Sequence, residues 1–469
     1  MKKDEITSLL LYLQSYLKVY DKKNNQTYIS SKISTDNPTH FYQIGSNSSS
    51  QFLKNILYNG INMLLQDRDI KELSDHLDFH CREDEKENVI HKRVAYIDGH
   101  IYINSGDDTI IKITEARAGY VTKSKAMFMV NPNIGVMVTP DLINGDLSLL
   151  HKHINVSDDI FKLIIVAILN SFFDNTPHVI IIITGEAGSA KSTTEKLLKT
   201  TMDPSPVILQ DQFHEIKDLI IAALHSHVID INNVSNLNDK MQNQMCTILT
   251  GGTSTSRGLY SNHDQVTIRL HNPIIINGIG NVVTRDDLLE RAILVELKKI
   301  SSSNRKTEEQ VISAFNKDLP LIMGGIFNTL SDILKIKQSF KKPRQLNRMA
   351  DFHLLGLMAE KALAWEKGSF TKAYNENIAL VQGDVIDNSP IATALIELKN
   401  SNDLPFKGRY IDLIDVLKLK GNRGEITPRK LCNELQRLTF SLRKLHGIRI
   451  KKIGRAGQGS FILIDQVDK

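Results

Sequence analysis

One stretch constrains this chain more than any other: HVIIIITGEAGSAKSTTEKLL, residues 178–198. Its apolar run predicts a strand over Val179–Thr184. The turn Gly185-Glu186-Ala187-Gly188-Ser189-Ala190 then leads into Lys191, Ser192 and Thr193 at the start of a helix. Strand, loop and helix in that order make a phosphate cradle. Gly185 and Gly188 let the backbone curl until its N–H groups face phosphate oxygens, and the helix N-terminus adds its positive dipole end. Lys191 brings a charge for the β- and γ-phosphates, and Ser192 offers a hydroxyl to Mg²⁺. ATP and Mg²⁺ are therefore the expected cofactors. Ala190 stands where glycine is common, so its backbone must adopt a conformation that tolerates the extra methyl.

A phosphate cradle also needs a carboxylate for the metal. Between Leu219 and Asn238 the only acid is Asp230, expected with Ser192 to hold Mg²⁺. Asn232 and Asn233 follow it, and no Asp-Glu pair supplies a water-activating base; Glu186 in the loop is a candidate. The strand PIIIN ends at Asn277, where an amide can orient the attacking water. In TRDDLLERAILVEL, Arg285 and Arg291 flank a short helix. An arginine reaching a neighbouring subunit's γ-phosphate would stabilise transition-state charge. The alternative is an ion pair within the chain, to Asp286, Asp287 or Glu290.

These residues lie in a region, 151–365, where strand-like and helix-like segments alternate, the pattern of a parallel sheet with crossover helices. The strands are expected at Val179–Thr184, Val207–Leu209, Val228–Ile231, Pro273–Asn277 and Ala292–Leu297. Helical stretches at 307–335 and 345–366 make a lid. Two pieces, Ser256–Tyr260 and Gln265–Leu270, read as a hairpin whose tip carries His263 and whose arm carries Arg257. They can touch DNA phosphates; an ordinary surface hairpin is the alternative. Residues 1–150 read as a mixed α+β domain, with helical patterns at Ile6–Leu17 and Phe52–Leu65, a loop at Gly45–Ser50, and hairpin strands from Val94. Residues 366–389 read as a linker.

Residues 390–469 read helix, strand, helix, helix, strand, turn, strand, a winged helix. The segment 405–469 carries 15 Lys/Arg against six Asp/Glu, a net of +9 in a chain whose total is +5. The remaining residues therefore net −4, so a basic tail sits on a slightly acidic body, the footprint of a nucleic-acid reader. Arg429, Lys430, Arg443 and Lys444 fall on the expected recognition helix, and Lys451, Lys452 and Arg455 on the wing. Use of such a fold for protein contacts is the alternative.

With 41% hydrophobic and 24% charged residues, a disordered chain is excluded. The longest apolar runs, Val179–Ile183 and Leu163–Leu169, are far short of the roughly 20 residues that span a bilayer, so no membrane association is expected. The start has no signal-peptide pattern. Three scattered cysteines argue against a disulfide framework and for the cytoplasm. His76, His80, Cys81 and His91 lack the paired spacing of a zinc site.

The set GEAGSAKST, DINNVS, TSRGLY, NPIIINGI, TRDDLLERAI and NRMADF resembles the AAA+ replication proteins of bacterial mobile elements. It is similar to the replication initiators (Rep) of staphylococcal pathogenicity islands and to the Cch helicases of staphylococcal cassette chromosomes. The resemblance is strong over residues 180–355. It implies a self-loading hexameric helicase with a motor like that of MCM helicases, whose P-loop also carries alanine before its lysine. It implies Arg291 as the arginine finger and Arg348 in NRMADF as the sensor-2 arginine. Such proteins tend to have Asp-Asn where Asn232-Asn233 stand. The expected function is an ATP-dependent DNA helicase and initiator. Its expected partners are double-stranded origin DNA, single-stranded DNA, further copies of itself, and a primase or host replication proteins. The alternative is a DNA-binding ATPase switch that never unwinds.

Overall fold

The computed structural model describes residues 3–21, 24–30, 40–82, 88–257, 265–278, 282–387, 389–417, 426–456 and 459–467. It is a multidomain α/β protein with mixed sheets. The N-terminal part holds a five-stranded sheet and a four-stranded antiparallel meander over Val94–Ile97, His100–Asn104, Ile110–Ile113 and Ala118–Val121. Asp98 and Gly99, both at positive φ, make the tight first turn of the meander, as Asp-Gly pairs do in hairpins. Gly45–Ser50 is not all loop. Ser46 caps the helix Asn47–Ile61 by accepting the Ser49 amide at 3.1 Å, so the serine run forms its first turn.

Residue 150 does not separate two cores. The meander residues Val94, Ile101 and Ile103 share one apolar core with helix α1 (Asp158–Ser171) and with Ile181, Ile183 and Phe327 beyond it. Every residue from Leu163 to Ser171 is buried, which is what a helix covered on all sides requires.

Next comes strand β1 (Ile180–Thr184), then helix α2 (Lys191–Met202). The strands β2 (Gln210–Asp211), β3 (Ile229–Val234), β4 (Ile274–Gly278) and β5 (Ala292–Glu296) follow. All neighbours are parallel, in the order β2-β3-β4-β1-β5. The central strands IIII and III are buried on both faces, as a parallel sheet covered by helices demands. The expected strand Val207–Leu209 starts later: Leu209 sits at φ +60°, outside the strand region, and pairing begins at Gln210. The hairpin pairs Thr253–Arg257 with Gln265–Arg269, so its first arm begins three residues before the expected Ser256.

Helix α3 (Glu308–Lys337) opens with a capping box at Thr307 and Gln310. By length and composition it could cross a membrane, yet its Phe315, Ile322, Phe327 and Leu330 are all buried in the shared core. The expected linker 366–389 is largely helix α4 (Ser369–Asp387). Its Phe370, Ala373 and Tyr374 are buried in the same core. Asn377 clamps β5 with two bonds to the Leu294 backbone, at 3.0 and 2.8 Å. Of the polar residues of this segment, Lys372, Asn375 and Glu376 lie exposed on the helix while Asn377 is buried.

The C-terminal part runs helix Pro390–Asn400, strand Phe406–Arg409, helix Tyr410–Val416, helix α5 (Pro428–His446) and the ribbon Ile448–Ala456 with Gly459–Gln466. Thr427 caps α5, Pro428 occupies its first turn, and Gly447 ends it in the left-handed region. Leu431, Leu435, Leu438 and Leu442 bury one stripe of α5, leaving Arg429, Lys430 and Arg443 exposed.

Candidate functional site

The loop between β1 and α2 is wound as a cradle. Gly185, Gly188 and Ala190 have φ of +145°, +80° and +66°. At Gly185 a Cβ would come within 2.7 Å of the Ser189 Oγ and 2.9 Å of the Leu297 carbonyl, so only glycine fits. Ala190 takes a left-handed conformation, which costs an L-residue roughly 1–2 kcal/mol, and begins α2. Glu186, Ala187 and Gly188 are exposed, while Ser189 is buried with its hydroxyl unpartnered. Lys191 folds back onto the carbonyls of Gly185 and Glu186 at 2.9 and 3.1 Å. Glu186 is paired with Lys299 at 2.7 Å, which draws it away from a base's role. Ser192 and Thr193 are half-buried in the first turn of α2.

The Ser192 hydroxyl donates to the Asn232 Oδ1 at 2.9 Å. That oxygen also accepts from the Asn277 Nδ2 at 2.7 Å, and the same Nδ2 donates to the Glu195 carboxylate. The Asn277 Oδ1 accepts the Asn233 amide at 3.1 Å. The structure thus joins Ser192 and Asn277 through Asn232, and Glu195 hangs from Asn277. Burial, then the neighbouring Asp230 charge, pushes the Glu195 carboxyl up to about 8.

Asp230 is not the residue bonded to Ser192. It is fully buried, one alternation back along β3. One of its oxygens accepts the Leu209 amide at 2.5 Å and the other faces the Lys199 ammonium at 3.7 Å. Lys199 in turn bonds Asp203 at 2.9 Å, and Asp203 holds Arg93 at 2.6 Å. All four charges are buried. Burial works against the Asp203 carboxylate, but Lys199 and Arg93 outweigh it and hold it well below the ordinary carboxylate range. Asp230 belongs to this network, which ties the strand region around Arg93 to the end of α2.

Arg291 lies at the other end of the sheet. Its carbonyl accepts the Ile180 amide at 3.0 Å, level with the start of β1, whereas the loop leaves from the end of β1. Its guanidinium donates to the Asp287 carbonyl, and its buried Nε has no partner. Arg348 pairs with Glu290 beside it and is half exposed. Arg285 is committed to Asp287 through two bonds of 3.0 Å. A fourth arginine is nearer the loop: Arg305 stands by Gly188, 3.1 Å from where a Cβ would be. No motif surrounds it, so only the fold could have shown it.

Of the expected DNA contacts, Arg429, Lys430, Arg443, Lys451 and Lys452 are exposed on α5 and the ribbon. Arg257 lies on the hairpin arm by its backbone. His263 falls outside the described residues, as do the side chains of Arg257, Lys444 and Arg455. A separate cleft of about 580 Å³, lined by His91, Lys92, Asp174, His227 and His271 among others, lies between the N-terminal strands and the parallel sheet. None of the loop residues lines it, and His91 is paired there with Asp174 at 2.8 Å.

Fold and site together define a multidomain α/β protein with a glycine-bearing strand-to-helix loop at the end of a parallel sheet. Residues 147–377, which contain that sheet and loop, match the family described as actinomycete integrative conjugative element replication protein. The match supports a replication protein of a mobile element. Among solved structures, the A form apo structure of the NrS-1 C-terminal region is similar over 99% of each chain, at a TM-score of 0.40 and 12% identity. The apo structure of NrS-1 C-terminal region (305–718) is similar over 100% of each, at 0.39 and 14%. No curated protein matches.

Proposed function

We propose that this chain is an ATP-dependent DNA helicase and replication initiator of a mobile genetic element, an AAA+ motor with a C-terminal winged helix. The observation that carries the reading is the cradle Gly185–Ala190, set between a buried parallel strand and a helix N-terminus, with Ser192 bonded to Asn232 on β3, the strand beyond β4. The strand order β2-β3-β4-β1-β5 supports the AAA+ assignment, because the loop then sits where the chain's direction of crossing reverses. The matched family supports the replication role. Kinship with staphylococcal Rep and Cch proteins rests on the sequence motifs alone.

The residues present fit ATP and Mg²⁺. Loop amides and Lys191 would hold the phosphates, with Lys191 exchanging the carbonyls of Gly185 and Glu186 for phosphate oxygens. The Ser192 hydroxyl would meet the cation, and the unpartnered Ser189 hydroxyl is a further polar group within the loop. Bound Mg²⁺ would neutralise charge building on the phosphates. Both Nδ2 hydrogens of Asn277 are committed to Glu195 and Asn232, so it would orient the attacking water through the one lone pair its Oδ1 keeps beyond the Asn233 amide.

Arg291 acts on a second subunit's nucleotide. Ala292 is level with Ile180, so six strand steps separate Arg291 from Gly185, roughly 20 Å at about 3.3 Å per residue, too far for its own site. Arg348, next to it, joins the same surface. Both need a neighbour, which supports a ring; six subunits follow from the MCM resemblance. The exposed Arg429, Lys430, Arg443, Lys451 and Lys452 bind origin duplex through its phosphates. Single-stranded DNA then meets the hairpin carrying Arg257 and His263. A primase or host replication protein would act on the opened strands, in the cytoplasm.

A second reading, a DNA-binding ATPase switch, is favoured by one observation: Asn232 stands where an acid would speed hydrolysis. The test is displacement of a strand from a forked duplex with ATP, beside Lys191→Ala, at two salt concentrations. Displacement lost in the variant supports the motor. Hydrolysis without displacement by fork-bound protein supports the switch.

A further inference from the structure

The site needs a negative charge beside its cation, and neither expected source supplies it. Asn232 is a neutral amide. Asp230 has one oxygen taken by the Leu209 amide and the other set against Lys199, so its charge is already compensated.

We propose that Glu195, on the helix that follows the loop, is the outer carboxylate that supports the nucleotide's divalent cation through Asn277, Asn232 and Ser192. This rests on the nucleotide reading above and deepens it. Glu195 lies three residues after Ser192, so one helical turn brings both to the same face of α2. It is fully buried. One oxygen accepts from the Asn277 amide, which also bonds Asn232, the acceptor of the Ser192 hydroxyl. The chain Glu195–Asn277–Asn232–Ser192 is therefore continuous from the carboxylate to the hydroxyl that meets the cation. The other oxygen, Oε1, is buried with no hydrogen-bond partner among the described residues. A buried acceptor without a donor is costly, and sites that keep one generally complete it with a water or an ion. Burial and then the Asp230 charge raise the Glu195 carboxyl, and a divalent cation nearby would favour its charged form.

A carboxylate that supports a metal without being its nearest ligand is worth about 10- to 100-fold in metal affinity. The experiment uses the full chain with ADP, and Mn²⁺ as a spin probe. Free Mn²⁺ is read by electron paramagnetic resonance, and ADP affinity is measured separately in EDTA. Glu195→Gln is expected to weaken Mn²⁺ binding to the ADP complex by about tenfold or more, with metal-free ADP affinity unchanged. Asn232→Asp added to that variant should recover Mn²⁺ affinity, because it restores an acid next to Ser192; a purely structural glutamate would not be rescued this way. Glu195→Gln that holds Mn²⁺ as tightly as the wild type overturns the proposal. If Glu195→Gln does not fold, Glu195→Asp decides by the same readout, since it keeps the charge but withdraws it by one methylene. Wild-type protein that binds no ADP at all would instead sink the nucleotide reading, a distinct failure.

Discussion

The Ser192 hydroxyl donates to the side-chain oxygen of Asn232, 40 residues away on β3, at 2.9 Å. The Asn277 amide shares that oxygen at 2.7 Å. Asn232→Ala leaves both donors without their acceptor in a half-buried site, where each orphaned group costs about 1–3 kcal/mol. Phosphate release at saturating ATP should fall by at least about tenfold, since 1.4 kcal/mol is one decade. Wild-type turnover in this variant would remove Asn232 from the site.

Ala190 holds φ +66° at the start of α2. Glycine adopts that conformation freely but adds entropy to the unfolded chain, about 0.5–1 kcal/mol against a strain of about 1–2. Ala190→Gly should therefore leave stability unchanged or raise it by up to about 1 kcal/mol, with nucleotide affinity kept. Thermal unfolding and ADP titration check both. A fall in the unfolding midpoint would mean the alanine methyl is packed rather than strained.

Arg93, Asp203 and Lys199 are all buried, and Asp203 is the carboxylate between the two cations. Asp203→Asn leaves two buried positive charges short of their counter-charge, a loss of about 3–5 kcal/mol. Urea unfolding should show it, and Arg93→Met added to Asp203→Asn should recover part of it. Additive losses in the double variant would mean the pair is not coupled.

His227 is buried with its Nε2 against the Ser171 carbonyl at 2.8 Å. Burial lowers it to about 4, with Asp203 opposing and Lys92 adding to the effect. The folded state therefore keeps it neutral while the unfolded chain protonates near 6.5, so stability is present above pH 6.5 and lost as pH falls toward 4. One such group is worth about 3 kcal/mol over that window. His178, lowered by burial and by His271, acts in the same direction. The unfolding midpoint should fall between pH 6.5 and 4.5, less steeply in His227→Gln. An equal slope in that variant would assign the acid sensitivity elsewhere.

What was legible in the sequence follows from how local each signal is. The cradle and its flanking strand and helix are contiguous in the chain, and so is the hairpin pair of Asp98 and Gly99. The leucine stripe of α5 repeats at helical period. Other features depended on distant partners. Leu209 was taken for strand because its neighbours are apolar, but its positive φ turns its amide onto Asp230. Residues 369–387 looked like a linker because Gly and Asn dilute the pattern, yet Asn377 is what clamps β5. Asp230 was chosen as the only acid near the site, while the acid closest to Ser192 through hydrogen bonds sits on α2 itself. A glutamate inside a helix carries no mark of burial until the sheet is placed against it.

The account's central claim is a nucleotide site completed by a second subunit. Lys191→Ala and Arg291→Ala chains are each expected to be inactive alone, one lacking its cradle charge and the other its finger. Mixed in equal amounts before assembly, they form some interfaces that pair an intact Lys191 with an intact Arg291. At random assortment that is one interface in four, so ATP turnover should return to about a quarter of the wild-type rate. A mixture no more active than its parts, or Arg291→Ala turning over normally alone, would contradict the shared site.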